Sequence, residues 1–221
     1  SQFKIKEGIW KGNTLWNLYK KAHTPFDWHK EAFSLAKKNK IKIFSTPFSV
    51  RSLDFLKKFK PEIYKISSFE ITDLKLIDAV AKTRKPIILS TGMASINEIK
   101  NAKKIINKYH NKIVIMYCVS GYPTPIDEVN IKTIENFKNI FNTNLIGLSD
   151  HTNNIYSSVA ASTLGVVAIE KHFKISNSIV SHDSSFSINS GQLKNLKEFS
   201  SMVQRSMGRD SIVVKKSEKQ S

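Results

Sequence analysis

The chain has 221 residues, 40% of them hydrophobic, which is enough apolar material for one substantial core and too little length for a second full domain. No run approaches the roughly 18 apolar residues of a membrane-spanning helix, the opening SQFKIKEGIW lacks the apolar centre of a signal peptide, and a single cysteine, Cys118, excludes an internal disulfide, so the chain reads as soluble and cytoplasmic. The formal charge of +17 raises nucleic-acid binding, but the lysines scatter over predicted helices without interleaved aromatics; they read as a solvated surface whose field attracts a small anion, with no nucleic-acid or membrane partner.

In chain order, residues 1–27 carry Trp10, Trp16, Tyr19 and His23-Thr24-Pro25-Phe26 but no convincing pair of buried strands, and they read as a loop region. From Trp28 onward, segments of helical period alternate with short apolar runs, the pattern of βα units around a parallel sheet. The spacing predicts helices at 28–38, 50–59, 73–82, 96–109, 129–141, 155–164 and 190–206. Six strands are predicted between them, at 41–44, 63–66, 86–89, 113–117, 145–148 and 166–169, and their Ile, Val and Leu content suits burial on both faces.

Every predicted strand ends in polar chemistry. The endings are Ser45-Thr46-Pro47-Phe48, Ser67-Ser68-Phe69-Glu70, Ser90-Thr91-Gly92-Met93, Cys118-Val119-Ser120-Gly121-Tyr122, Ser149-Asp150-His151-Thr152 and Glu170-Lys171-His172-Phe173. An open doubly wound sheet concentrates its ligand groups at one switch point, whereas a (β/α) barrel furnishes many strand ends at once. The pattern therefore predicts an α/β fold, a (β/α)8 TIM barrel present here as six of eight strands with the first two missing. Residues 28–206 form this partial catalytic barrel, 207–221 begin a linker, and the chain is expected to be cut at both ends.

His151 and His172 follow neighbouring strands, so a parallel barrel brings them together at one end. Each stands beside a carboxylate, Asp150 or Glu170, and the pair reads equally as packed structural residues or as two ligands of a catalytic metal that leave positions for water and substrate. Asp183 could add a carboxylate through water. Lys65 with Thr46, Ser68, Ser90, Ser120 and Ser149 places a cation among hydroxyls, chemistry suited to phosphate and carboxylate oxygens, although each hydroxyl singly reads as a helix cap. Glu70 is a candidate general base or sugar ligand, and Tyr122, ahead of Pro123-Thr124-Pro125, walls the pocket or packs.

At FSTPF, KISSFE, ILSTGMAS, YCVSGYPTP, GLSDHT and EKHF the chain resembles the sialic acid synthase family, with the motifs in family order over nearly its whole length. Gly8-Ile9-Trp10, residues 22–29 and His182-Asp183-Ser184-Ser185-Phe186-Ser187 resemble the branch that makes pseudaminic acid. The resemblance implies condensation of phosphoenolpyruvate with 2,4-diacetamido-2,4,6-trideoxy-altrose, with N-acetylneuraminate or legionaminate formation as alternatives. It implies Mn²⁺ or Mg²⁺ on His151 and His172, acting as Lewis acid and water donor, and phosphoenolpyruvate on Lys65, Thr46, Ser68, Ser90, Ser120 and Ser149. Glu70, Tyr122 and Asp183 face the sugar or the reacting centre; Ser120 departs from the Asn of the neuraminate-forming branch. Phosphoenolpyruvate C3 attacks the sugar aldehyde, water adds at C2, and phosphate leaves by carbon–oxygen cleavage.

Family members also carry two earlier barrel strands and a later antifreeze-like domain that completes a partner's site in a domain-swapped homodimer. On that ground this stretch alone is expected to show little synthase activity. A non-catalytic barrel fragment serving as a binding module is the reading from a different class.

Overall fold

The computed structural model describes residues 3–178, 180–210 and 212–220. Five short strands, β1 (Tyr64–Ile66), β2 (Ile87–Ser90), β3 (Ile113–Cys118), β4 (Ile146–Asp150) and β5 (Ile169–Lys171), pair in parallel in the order β1-β2-β3-β4-β5. Eight α-helices lie among the described residues: α1 (Leu15–Ala22), α2 (Trp28–Lys38), α3 (Val50–Lys57), α4 (Leu74–Ala81), α5 (Ile96–Asn107), α6 (Thr133–Phe141), α7 (Tyr156–Thr163) and α8 (Ser190–Met207). None is long and apolar enough to cross a membrane.

Side chains alternate along a strand, and here the two sets have different fates. Tyr64, Ile66, Ile87, Leu89, Ile113, Ile115, Tyr117, Ile146 and Leu148 share one hydrophobic core with Leu53, Leu76, Ile77, Ile99, Ile106, Ile134 and Phe137 of the surrounding helices. The other set faces away from the helices and mixes the polar Lys65, Ser90, Ser149 and Glu170 with Ile88, Val114, Met116 and Cys118. Register places Cys118 beside Ser149 and Ser149 beside Glu170 on that face, with Lys65 beside Ile88 at the other edge. Gly147 belongs to the same set; a Cβ there would lie 2.8 Å from the Ala168 carbonyl oxygen and 2.2 Å from Met116 Sδ, and it is the backbone contact, which cannot swing away, that calls for glycine.

The sheet is curled. Across four gaps of about 4.8 Å, the edge strands of a flat sheet would stand about 19 Å apart, farther than a lysine and a glutamate reach together. Lys65 Nζ of β1 nevertheless lies 3.1 Å from Glu170 Oε2 of β5. The fold is a five-stranded parallel half-barrel with the face that bears Lys65 and Glu170 concave, the α/β architecture of a partial TIM barrel.

The predicted strand at 41–44 does not form. Ile41 is 65% and Phe44 38% exposed, Lys42 pairs with Glu62 at the surface, and among the described residues β1 has β2 as its only ladder partner. An apolar run supplies side chains for burial but not the neighbour whose backbone completes a ladder. The predicted strand at 166–169 shifts to Ile169–Lys171, although Val167 N–H still bonds the Ile146 carbonyl at 2.9 Å. The predicted loop at 1–27 contains α1, capped by Thr14, whose hydroxyl accepts the Asn17 N–H. The remaining helices agree with the sequence to within a few residues, and Ser49 with Ser52 and Ser95 with Glu98 start α3 and α5 in capping boxes.

Candidate active site

At the C-terminal ends of β4 and β5 the alternation sorts two runs of three residues, 149–151 and 170–172. Ser149, His151, Glu170 and His172 share the concave face, while Asp150 and Lys171, a register pair, share the helix-facing side. A cavity of about 810 Å³ opens over the concave face. Thr46, Lys65, Ser68, Glu70, Ser90, Tyr122, Ser149, His151, His172 and Asp183 line it, so ten of the eleven residues singled out from sequence converge there. Ser120 is not in its lining; its hydroxyl lies 3.9 Å from Cys118 Sγ.

His151 is buried, and its Nδ1 donates to the Val119 carbonyl at 2.8 Å. His172 Nδ1 donates to Asp183 Oδ2 at 3.1 Å. With Nδ1 protonated on each ring, each Nε2 keeps its lone pair, and the ring centroids stand 5.4 Å apart. Burial disfavours charge on His151, but the Cys118 thiol at 3.8 Å and the Val119 carbonyl outweigh it and raise the imidazole pKa. Among the described residues no group of three or more His, Cys, Asp or Glu could hold a metal ion, so a cation here would have two imidazoles as its protein donors and an otherwise open coordination sphere.

Lys65 is 6% exposed, and Glu170 is its counter-charge. Ser149 Oγ donates to Glu170 Oε1 at 2.8 Å. Burial alone would raise the Glu170 pKa; the Lys65 ammonium and the Ser149 hydroxyl outweigh it, and the carboxyl titrates below its ordinary range. Ser68 Oγ accepts the Gly92 N–H at 3.0 Å, and the buried Ser90 hydroxyl has no hydrogen-bond partner among the described residues. A buried donor left unsatisfied beside a cavity is free to bond a water or a ligand oxygen there. Gly92 is required because a Cβ there would lie 2.1 Å from Ser120 Oγ and 3.0 Å from Ser68 Oγ.

Glu70 also lines the cavity, and its carboxylate accepts the Ser67 hydroxyl; burial dominates and raises its pKa. Tyr122 packs on His151 with ring centroids 4.4 Å apart, and burial pushes its phenol up to about 12. Trp10 packs tilted against Tyr122 with ring centroids 5.5 Å apart and donates Nε1–H to the His182 carbonyl at 3.1 Å, tying the N-terminal segment to the loop that bears Asp183.

Several cavity residues escaped the sequence reading. Glu170 reads from sequence as the carboxylate beside His172, yet a strand places residues two apart on one face, which is the signal that brings both into the cavity. Leu15, Leu18, Tyr19 and Ala22 of α1 recur at helical spacing behind the cap Thr14 and also line the cavity, as does Phe186.

Residues 1–211 match the model of the NeuB family. The chain is 41% identical over 197 residues to a pseudaminic acid synthase of Helicobacter pylori, covering 89% of this chain and 58% of that protein. It is 40% identical over 183 residues to an N,N'-diacetyllegionaminic acid synthase of Campylobacter jejuni, covering 81% of this chain and 54% of that one. The chain thus spans less than two thirds of the length of these relatives. The crystal structure of an N-acetylneuraminic acid synthetase from Leptospira borgpetersenii in complex with citrate superposes with a TM-score of 0.85 at 30% identity, covering 92% of this chain and 71% of that one. With its fold, its strand-end motifs and a family match over nearly its whole length in agreement, this chain belongs to the NeuB family.

Proposed function

We propose that the full-length protein is a pseudaminic acid synthase, condensing phosphoenolpyruvate with 2,4-diacetamido-2,4,6-trideoxy-altrose and releasing phosphate, on an eight-stranded (β/α) barrel of which the half-barrel is the larger part. The observation that carries this is the composition of one cavity: a buried lysine and an unpartnered serine hydroxyl stand together with two imidazoles that both keep Nε2 open. Relatives of two neighbouring branches, at 41% and 40% identity, support the reaction class.

Lys65 donates to phosphoenolpyruvate oxygens with the ammonium protons that Glu170 does not take, and the Ser90 hydroxyl, without a partner among the described residues, supplies a further donor. Ser68, Ser149 and Thr46 complete the anion site, and Ser120 supports it from behind Cys118. These fixed donors stabilise charge on the departing phosphate without reorganising. His151 and His172 are the residues that would hold Mn²⁺ or Mg²⁺, which when bound supplies Lewis acidity towards a carbonyl oxygen. Asp183 keeps His172 in the tautomer that presents Nε2. Glu70, whose pKa burial raises, exchanges a proton with a sugar hydroxyl or with water, and Tyr122 stays protonated as a hydrogen-bond donor. Trp10, Leu15, Leu18 and Phe186 give the cavity an apolar side that suits the acetamido methyls and the deoxygenated C6 of a trideoxy sugar.

Incubation of the full-length protein with phosphoenolpyruvate, Mn²⁺ and either this sugar or N-acetylmannosamine, with products identified by mass, decides the matter. Pseudaminic acid from the trideoxy sugar is the expected product. Turnover of N-acetylmannosamine in preference, or product only from the gluco-configured precursor of legionaminic acid, overturns the branch.

A further inference from the structure

Behind the two imidazoles, on the helix-facing side of the sheet, lies an ion pair that the proposed reaction does not use. Lys171 Nζ stands 3.3 Å from Asp150 Oδ1, and the two side chains are 3% and 0% exposed. Both ends are further satisfied. Lys171 donates to the Thr152 carbonyl at 2.7 Å; Asp150 accepts the Thr152 N–H at 2.8 Å through Oδ1 and the Ser158 hydroxyl of α7 at 2.5 Å through Oδ2. Burial pulls the Lys171 pKa down, and Asp150 opposes the shift.

Such a pair is a poor way to gain stability, because removing two charges from water offsets most of their attraction, and a well-packed apolar pair serves equally well. What it supplies is position. Asp150 and Lys171 are ladder partners, one residue before His151 and one residue before His172. A one-residue slip of β5 against β4 would turn Glu170 and His172 to the helix side. A two-residue slip would keep the face but displace His172 by about 6.6 Å along the strand. Either slip separates Lys171 from Asp150 and leaves two buried charges without partners, which would cost several kcal/mol. β5 has only three residues, and Ile169 is the one apolar side chain among them, so apolar packing alone sets its register weakly.

We infer, building on the assignment of His151 and His172 as the cation-holding pair, that the Asp150–Lys171 ion pair with Ser158 is a register lock. These are positioning residues that hold the two imidazoles opposite each other and contribute little to global stability. The lock acts through the backbone: Asp150 fixes the end of β4 to α7 and to the turn at Thr152, Lys171 fixes β5 to that end, and the rings follow.

The test uses the full-length protein and the double variant Asp150→Leu/Lys171→Met, which removes both charges together, with Ser158→Ala as a milder variant that removes one hydrogen bond. Two readouts are taken beside the melting temperature: the ring ¹⁵N shifts of the histidines in metal-free protein, and the Mn²⁺ dissociation constant. In the parent, His151 and His172 should show the Nδ1–H tautomer. In the double variant the melting temperature should change little, while the His172 ring shifts move towards tautomer averaging and Mn²⁺ affinity falls at least tenfold. Ser158→Ala should move both readouts the same way by a smaller factor, about two- to fivefold in affinity. Unchanged ring shifts in a folded double variant, or in Ser158→Ala if the double variant does not fold, overturn the lock. A parent protein that binds no Mn²⁺ but shows the ring shifts moving as expected sinks the metal assignment and leaves the lock standing.

Discussion

Lys65 and Glu170, 105 residues apart on the two edge strands, meet at 3.1 Å inside the concavity, with side chains 7% and 35% exposed. Each offsets the desolvation of the other, and the lysine also faces the proposed anion site. Lys65→Met should therefore destabilise the protein by about 1–2 kcal/mol, discounted from a fully buried pair because Glu170 remains partly solvated. It should also raise KM for phosphoenolpyruvate at least tenfold. The double variant Lys65→Met/Glu170→Gln should regain stability in thermal melts and not regain phosphoenolpyruvate binding; recovery of both would remove Lys65 from the anion site.

Ser90 separates stability from function. Its hydroxyl is buried without a partner among the described residues, so Ser90→Ala should leave the ligand-free protein as stable as the parent or up to about 1 kcal/mol more stable. A hydrogen bond to an anion contributes about 1.5–3 kcal/mol, so phosphoenolpyruvate affinity should drop about 10- to 100-fold. Calorimetric titration with phosphoenolpyruvate checks it, and unaltered affinity would show that the orphan hydroxyl serves something else.

Gly92 is set by contact rather than by backbone angle. A methyl group there must displace the Ser120 hydroxyl, 2.1 Å away, and crowd Ser68 Oγ, which holds the Gly92 N–H. Gly92→Ala should destabilise by about 1–3 kcal/mol. Adding Ser120→Ala should recover part of that loss, since the shortest contact is with a side-chain end. Additive effects in chemical denaturation would contradict the geometry.

Glu70 gives a pH dependence with a defined sign. Its folded pKa is raised by burial above the ordinary carboxylate value, so the folded protein holds this proton more tightly than the unfolded chain. The associated stability is fully present below the unfolded pKa near 4.5 and is lost as pH rises through the folded pKa. Relative to the parent, Glu70→Gln should gain stability as pH goes from 4 to 7, as read by urea midpoints. A pH-independent difference would mean that the carboxyl is not desolvated.

Much of this site was legible in the sequence, because a parallel barrel turns strand order into proximity. Ser149 and His151, or Glu170 and His172, stand two apart and so share a face once a strand is assumed. What the sequence could not show was pairing between segments. Ile41-Lys42-Ile43-Phe44 has the composition of a strand, but a ladder needs a neighbour, and none forms on it. The Asp150–Lys171 lock was hidden for a related reason: both residues sit inside conspicuous motifs, and only the β4–β5 register shows that they face each other behind the histidines. The helix α1 was readable from Thr14, Leu15, Leu18 and Ala22, but the exposed Trp16 and Tyr19 blurred its apolar stripe.

The central claim is that His151 and His172 form one cation site on the concave face. Mn²⁺ titration of the full-length protein, followed by the loss of the free-ion paramagnetic signal, tests it most directly against His151→Ala and His172→Ala. The account predicts one site in the parent and at least a tenfold loss of affinity in each variant, with no further loss when both are combined. Parent-like affinity in either single variant would contradict it.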